Sequence, residues 1–440
     1  MISRRTIIAT GAALSAAPAL AAKAGAGPSP DFPKDFLWGA ATAGHQIEGN
    51  NVNSDCWVLE NVKPTIFSEP SRDAANSLEL WPVDLDLVKG MGLNTYRFSL
   101  EWARIEPEPG LFSVAMLDHY KAIIEGCRAR GLMPLVTFNH YTAPRWFAGL
   151  GGWTNAEAPS LFARYCERAT RHLGARIGRA TTLNEPNIMN VLRTILPPQV
   201  LAGQHAMLEA AAQAIGAARF AAGNAVELEH IDTMTANLVT GHKAGREAIK
   251  SVRPDLPVGL SLAMFDDQAV GKDSLRDAMR EKFYAPWLDV VKTDDFLGVQ
   301  NYERMMWTDK GRLPAPAGAK VNYSGSEVYP PSLANAVRYA HAATGLPIMV
   351  TEHGVGTTDD TIRAGLIPAA LTELKKAMDD GVPVLGYCHW SLIDNFEWIF
   401  GYKVKFGLHS FDPVTFARTA KPSAAVYGSI ARKNSLRDAG

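Results

Sequence analysis

From residue 31 onward, short apolar runs alternate with longer stretches whose apolar positions recur at helical spacing. The runs at 36–42, 95–99, 133–139, 181–184, 258–262, 296–301, 348–352 and 384–390 predict eight strands. Helices are predicted over 74–91, 117–130, 158–173, 205–223, 232–252, 274–283, 286–291, 332–343 and 362–380. Pro82 predicts a break inside the first of these. Residues 302–331 are polar and rich in Gly and Pro, so they read as a long loop. Eight strand–helix alternations without a linker predict an α/β protein with a single (β/α)8 TIM barrel over 31–430 and a tail at 431–440. The alternative is an open doubly wound sheet. It needs a glycine-rich phosphate turn after an early strand, and here the first strand runs into Ala43-Gly44-His45-Gln46.

A barrel of this kind keeps its chemistry at the carboxyl ends of its strands, and two of those ends stand out. Thr181-Thr182-Leu183-Asn184-Glu185-Pro186 ends a strand in a carboxylate, where Pro turns the chain sharply. Ile348-Met349-Val350-Thr351-Glu352-His353-Gly354 does the same 167 residues further on. Either acid alone fits a solvated side chain or an ion-pair partner. The other strand ends bring Gln46 and Glu48, Arg97 and Glu101, Asn139 and His140, Asn301 and Tyr302, and Trp390 followed by Asp394-Asn395-Phe396-Glu397-Trp398. Carboxylates and amides suit hydroxyl groups, and an indole suits the apolar face of a sugar ring. Glycoside hydrolysis needs a proton donor and a nucleophile or base on opposite sides of the bond, and Glu185 and Glu352 supply such a pair. Arg97 is placed to keep one of them ionised.

Composition adds limits. Apolar residues make up 47% of the 440 and charged residues 20%, with a net charge of −1. No basic patch points to nucleic acid or to a membrane surface. Cys56, Cys127, Cys166 and Cys388 form no metal-binding spacing and read as small core side chains, with a disulfide left open. Residues 1–22 read as a twin-arginine-type signal peptide: Arg4-Arg5, an apolar run, then Ala19-Leu20-Ala21 as a cleavage site. Residues 23–30 read as a flexible lead-in. The expected location is periplasmic or secreted, with no stable membrane association.

The blocks at these strand ends carry a resemblance. Phe36-Leu37-Trp38-Gly39-Ala40-Ala41-Thr42-Ala43, Gln46-Ile47-Glu48-Gly49, Tyr96-Arg97-Phe98-Ser99 with Trp102, Thr182-Leu183-Asn184-Glu185-Pro186, Val350-Thr351-Glu352 and Trp390-Ser391-Leu392-Ile393-Asp394-Asn395-Phe396-Glu397-Trp398 occur in order over nearly the whole chain. Together they resemble glycoside hydrolase family 1, the β-glucosidase family. The resemblance implies a retaining, exo-acting β-glycosidase, most simply a β-glucosidase, with Glu185 as general acid/base and Glu352 as nucleophile. The two carboxyls would then stand about 5–5.5 Å apart. It further implies that Gln46, His140, Asn184, Glu397 and Trp398 hold sugar hydroxyls, Trp390 stacks under the ring, and Tyr302 with Arg97 supports Glu352. No metal or other cofactor is implied. The substrate implied is a small β-glycoside or oligosaccharide of an unphosphorylated sugar, because the phospho-sugar branch has Ser where Glu397 stands.

Two positions depart from the family pattern: His353 replaces an Asn, and Tyr141 follows His140 where Trp or Phe is usual. His353 reads as a packing or capping residue. Transglycosylation through the same intermediate stays open, as does a non-catalytic sugar-binding barrel.

Overall fold

The computed structural model describes residues 29–437. Its centre is eight parallel strands: β1 (Leu37–Ala41), β2 (Thr95–Ser99), β3 (Met133–Asn139), β4 (Arg179–Asn184), β5 (Val258–Ala263), β6 (Phe296–Asn301), β7 (Ile348–His353) and β8 (Val384–Trp390). They close in the order β1-β8-β7-β6-β5-β4-β3-β2, and β1 pairs with β2 to complete the ring. The strands are apolar on both faces because inward side chains fill the barrel and helices cover the outside.

Each strand returns through a long helix: α1 (Ser77–Gly90), α2 (Val114–Ala129), α3 (Ala158–Leu173), α4 (Ile231–Val252), α5 (Arg276–Val290), α6 (Ser332–Thr344), α7 (Asp360–Asp379) and α8 (Pro422–Lys433). Helix α2 starts three residues earlier than its apolar pattern predicts. Ser113 caps it, its hydroxyl accepting from the Met116 amide at 3.3 Å.

Four expectations are corrected. Helix α1 runs through Pro82 unbroken. Helix α5 runs through Pro286, joining the two helices expected there. In α5 the buried face formed by Phe283, Tyr284, Trp287 and Val290 outweighs the one hydrogen bond that the proline removes. The Ala-rich helix expected over 205–223 spans Pro198–Ala214 instead. Pro198 sits in its first turn, and Gly216 beyond its end takes φ +67°. Residues 302–331 are not loop throughout: Arg304–Thr308 pairs with Asp266–Ala269 and with Gly311–Arg312 in a small sheet at the barrel mouth.

All four cysteines are buried and unpaired in the described residues. No described helix is long and apolar enough to cross a membrane. The ends of the described chain meet: Asp31 bridges Ser435, and the Asn434 side chain accepts from the Trp38 indole at 2.8 Å. The signal peptide, most of the lead-in and the last three residues of the tail lie outside the described residues.

Candidate active site

The strands that carry the two glutamates slip register at their ends. Pairing of β4 with β5 shifts between Thr181 and Asn184, and pairing of β7 with β6 shifts between Val350 and Glu352. A local slip of this kind bends a strand and re-aims its side chains. Glu185, the first residue past β4, takes φ +42°, while its amide still donates to the Ser261 carbonyl at 2.8 Å. Both carboxyls line one cavity of about 400 Å³ with Gln46, His140, Tyr141, Asn184, Gln300, Tyr302, Trp390, Glu397 and Trp398.

Glu352 is held from two sides. The Arg97 guanidinium donates through Nη1 to Oε1, and the Tyr302 hydroxyl donates to Oε2 at 2.6 Å. Arg97 is fully buried and its Nη2 donates to Asn184 Oδ1 at 2.5 Å. The same Asn184 oxygen accepts from Gln300 Nε2 at 2.8 Å, and the Asn184 amide lies 3.3 Å from His140 Nε2. Glu185 has a different partner, the Tyr141 hydroxyl, which donates to Oε2.

These surroundings divide the pair. Burial, and next the negative charge of Glu352, push the Glu185 carboxyl up to about 8. Burial also pushes Glu352 up, but the Arg97 charge and the hydrogen bonds from Tyr302 and Arg97 pull it back. Of the two, Glu352 is the carboxylate and Glu185 keeps the proton. Glu397 is pushed up to about 8 by burial and by both of these acids. His140 is driven well below its ordinary range by burial and by Arg97, so its imidazole is neutral.

The sugar-binding candidates gather at one end of the cavity. The His140 ring runs nearly parallel to two indoles, 5.6 Å from Trp390 and 6.1 Å from Trp398, with interplanar angles of 16° and 15°. Gln46 Nε2 donates to the Phe396 carbonyl at 2.8 Å and reaches Glu397 Oε2 at 3.4 Å. Its Oε1 is buried and, among the described residues, without a partner, which leaves it able to accept from a hydroxyl.

Other polar residues at the strand ends brace the barrel. Glu48 pairs with Arg104 at 2.8 Å, and Glu101 accepts from Asn51 and Thr142, each at 2.7 Å. Asn301 donates to the Met264 carbonyl at 2.8 Å, so Tyr302 and not Asn301 faces the cavity. Asp394 pairs with Lys421 at 2.7 Å. Trp146 donates to the Glu106 carbonyl and does not line the cavity. His353 points away from the site: its Nδ1 lies 2.9 Å from the Tyr387 hydroxyl, and burial drives its imidazole down to about 3. Successive residues of a strand face opposite sides, which is why the neighbour of Glu352 lies outside the barrel.

Two residues hydrogen-bonded into the network around the glutamates were not foreseen. Gln300 lies two positions before Tyr302, on the face the strand period gives it. Tyr141 stood out in the sequence only as a departure after His140. Outside the cavity lining, His45, Cys56 and Glu60 bring donor atoms within 4.8 Å of one another. Burial lowers the His45 imidazole, but its hydrogen bond to Glu60 and the Glu60 charge outweigh that and raise it, which fits an ion pair.

Comparison with known proteins gives a consistent result. The family model described as Glycosyl hydrolase family 1 matches residues 29–252 and 289–436. A β-glucosidase from Agrobacterium sp. is 31% identical over 458 aligned positions, covering 91% of this chain and 95% of the relative. The solved β-glycosidase BGL167 is 45% identical with a TM-score of 0.86, covering 92% of this chain and 98% of that one. The β-glucosidase 1317 in its apo form is 39% identical with a TM-score of 0.87, covering 90% and 98%. The matched segments take in seven of the eight strand ends, all but that of β5, and with them both glutamates and the side chains that contact their carboxyls. This chain belongs to glycosyl hydrolase family 1.

Proposed function

We propose that the chain is a retaining β-glucosidase that acts from the non-reducing end on β-glucosides with a bulky apolar leaving group. As a family member it is a glycoside hydrolase working on O-glycosyl bonds by double displacement. In the first half, Glu352 attacks the anomeric carbon while Glu185 gives its proton to the departing oxygen. In the second half, Glu185, now a carboxylate, takes a proton from water as that water displaces Glu352. Gln46, Glu397, His140, Asn184 and Trp398 would grip the hydroxyls, with Trp390 under the ring. Glucose as the sugar is supported by the naming of the similar β-glucosidases.

The observation that carries the leaving-group preference is the lining of the outer cavity. Ile188, Val191, Leu192 and Ile195 recur at i, i+3, i+4 and i+7 along the helix Ile188–Ile195 and line the cavity. Phe265 and Phe400 line it as well. A second sugar would strand its hydroxyls against this face, whereas an aryl or alkyl group would be desolvated by it.

Two measurements test the reading. NMR of an aryl β-glucoside digest should show β-glucose before mutarotation, and α-glucose first would overturn the retaining assignment. Along a series of alkyl β-glucosides kcat/KM should rise roughly fourfold per added methylene. Cellobiose turned over faster than octyl glucoside would sink the leaving-group preference and leave the retaining assignment untouched.

We further infer export to the periplasm, which rests on Arg4-Arg5 and the apolar run behind them. Replacing both with Lys should leave activity in the cytoplasmic fraction. Unchanged fractionation would remove the inference.

A further inference from the structure

We infer that Tyr141 is a positioning residue for Glu185, fixing the carboxyl by its Oε2 oxygen so that the proton given to the leaving group sits on Oε1. The inference rests on reading Glu185 as the acid/base.

The contact is specific. Among the described residues, the Tyr141 hydroxyl is the one hydrogen-bond donor to the Glu185 side chain. A carboxyl that accepts a hydrogen bond on one oxygen keeps its own proton on the other. Burial and the charge of Glu185 drive the phenol far above its ordinary range, so the phenol stays a donor throughout the cycle.

The surroundings hold the ring in place. Tyr141 takes φ +65°, in the left-handed region, which a bulky residue occupies only where its neighbours impose it. Its ring lies edge-on to His140 and Trp398, at 5.2 Å and 5.3 Å. Gly223 packs on its carbonyl so closely that an added Cβ would stand 2.2 Å from that oxygen. Two left-handed residues, Tyr141 and Glu185, thus meet through one hydrogen bond.

In the first half-reaction the O–H bond at Oε1 breaks, the proton forms a new bond to the departing oxygen, and the bonding pair stays on the carboxyl. The new negative charge spreads to Oε2, where the Tyr141 hydrogen bond strengthens as the charge grows. Besides burial, the groups that set the Glu185 proton affinity are Glu352 on β7, Arg97 on β2, Tyr141 after β3 and, by mutual repulsion, Glu397 after β8. Of these, Tyr141 and Arg97 favour the ionised form. Removing the hydroxyl alone therefore makes Glu185 a weaker acid.

The test is Tyr141→Phe, which keeps the ring and its packing. The alkaline limb of kcat/KM should move up by roughly one pH unit. Alkyl glucosides, whose departing oxygen needs the proton, should lose roughly tenfold. 2,4-Dinitrophenyl glucoside, whose departing oxygen needs none, should keep its kcat/KM, which reports the first half-reaction alone. An unmoved or lowered limb overturns the inference, and so does an equal loss on every leaving group. Glu185→Ala with dinitrophenyl glucoside and azide checks the reading beneath it. β-Glucosyl azide as product upholds Glu185 as acid/base whatever Tyr141 does, and its absence overturns both.

Discussion

Glu185 and Glu352 share one cavity and one residue type, and they differ in their partners. Glu352 holds a guanidinium and a phenol, while Glu185 holds a phenol alone. With Glu352 as the proposed nucleophile, Glu352→Gln should abolish turnover of every glucoside. Glu185→Gln should cost roughly 10²–10⁴-fold on alkyl glucosides and far less on dinitrophenyl glucoside, read as kcat/KM. With Glu185 held near 8, kcat/KM should fall as pH rises through that value, since the acid must be protonated to act. On the proposed mechanism the acid limb belongs to Glu352, which has to be ionised to attack. Arg97→Met removes the cation that favours that ionised form, so this limb should move to higher pH. These residues were legible in the sequence because they sit in compact blocks around each strand end. Gln300 and Tyr141 were not. Gln300 lines the cavity beside Asn184, a contact made only once β4 and β6 are brought round the barrel, and the value of Tyr141 depends on a backbone twist at φ +65° that no pattern of residue types announces.

Among the elements, the ends of β4 and β7 do the aiming, and small residues make room for it. Gly354 follows His353, and an added Cβ there would stand 2.1 Å from the Trp390 carbonyl. Gly354→Ala should therefore displace the indole floor and lower kcat/KM by more than tenfold, mostly through KM, in steady-state assays. A variant with unchanged KM would show that β8 gives way without moving the ring. Several strands were readable almost to the residue, since a buried parallel strand is a short apolar run with little else to be. Helices were less so where proline intervened. Pro82 read as a break and Pro286 as the start of a second helix, and the apolar faces laid on the barrel outweigh the local cost of each proline. The small sheet at the mouth was hidden because its strands, such as Arg304–Thr308, are short and separated by turns that read as loop.

For the molecule as a whole, the balance of buried titratable groups sets a pH dependence of stability. Burial raises Asp55 and Glu101 to about 7, and Glu185 and Glu397 to about 8. A carboxyl raised in the folded state contributes stability that is lost as pH rises through its folded value. Buried neutral His140 and His353 act the other way, but only up to the ordinary imidazole range. Tm should therefore decline between about pH 6.5 and 8.5, and Glu397→Gln should flatten the decline. A Tm that rises over that span would contradict this account. With four unpaired cysteines, a reducing agent should leave Tm unchanged.

The clasp of Asp31 with Ser435, and of Asn434 with Trp38, has a consequence for how this enzyme can be handled. Residue 31 leads into the start of β1 and α8 returns from the end of β8, so both ends leave from the floor of the cup, with the open mouth on the far side. A support, a tag or a fused partner attached at either end would face away from incoming substrate. A short peptide joining the two ends would turn the chain into a ring that can be reopened at an exposed turn elsewhere, with the barrel intact.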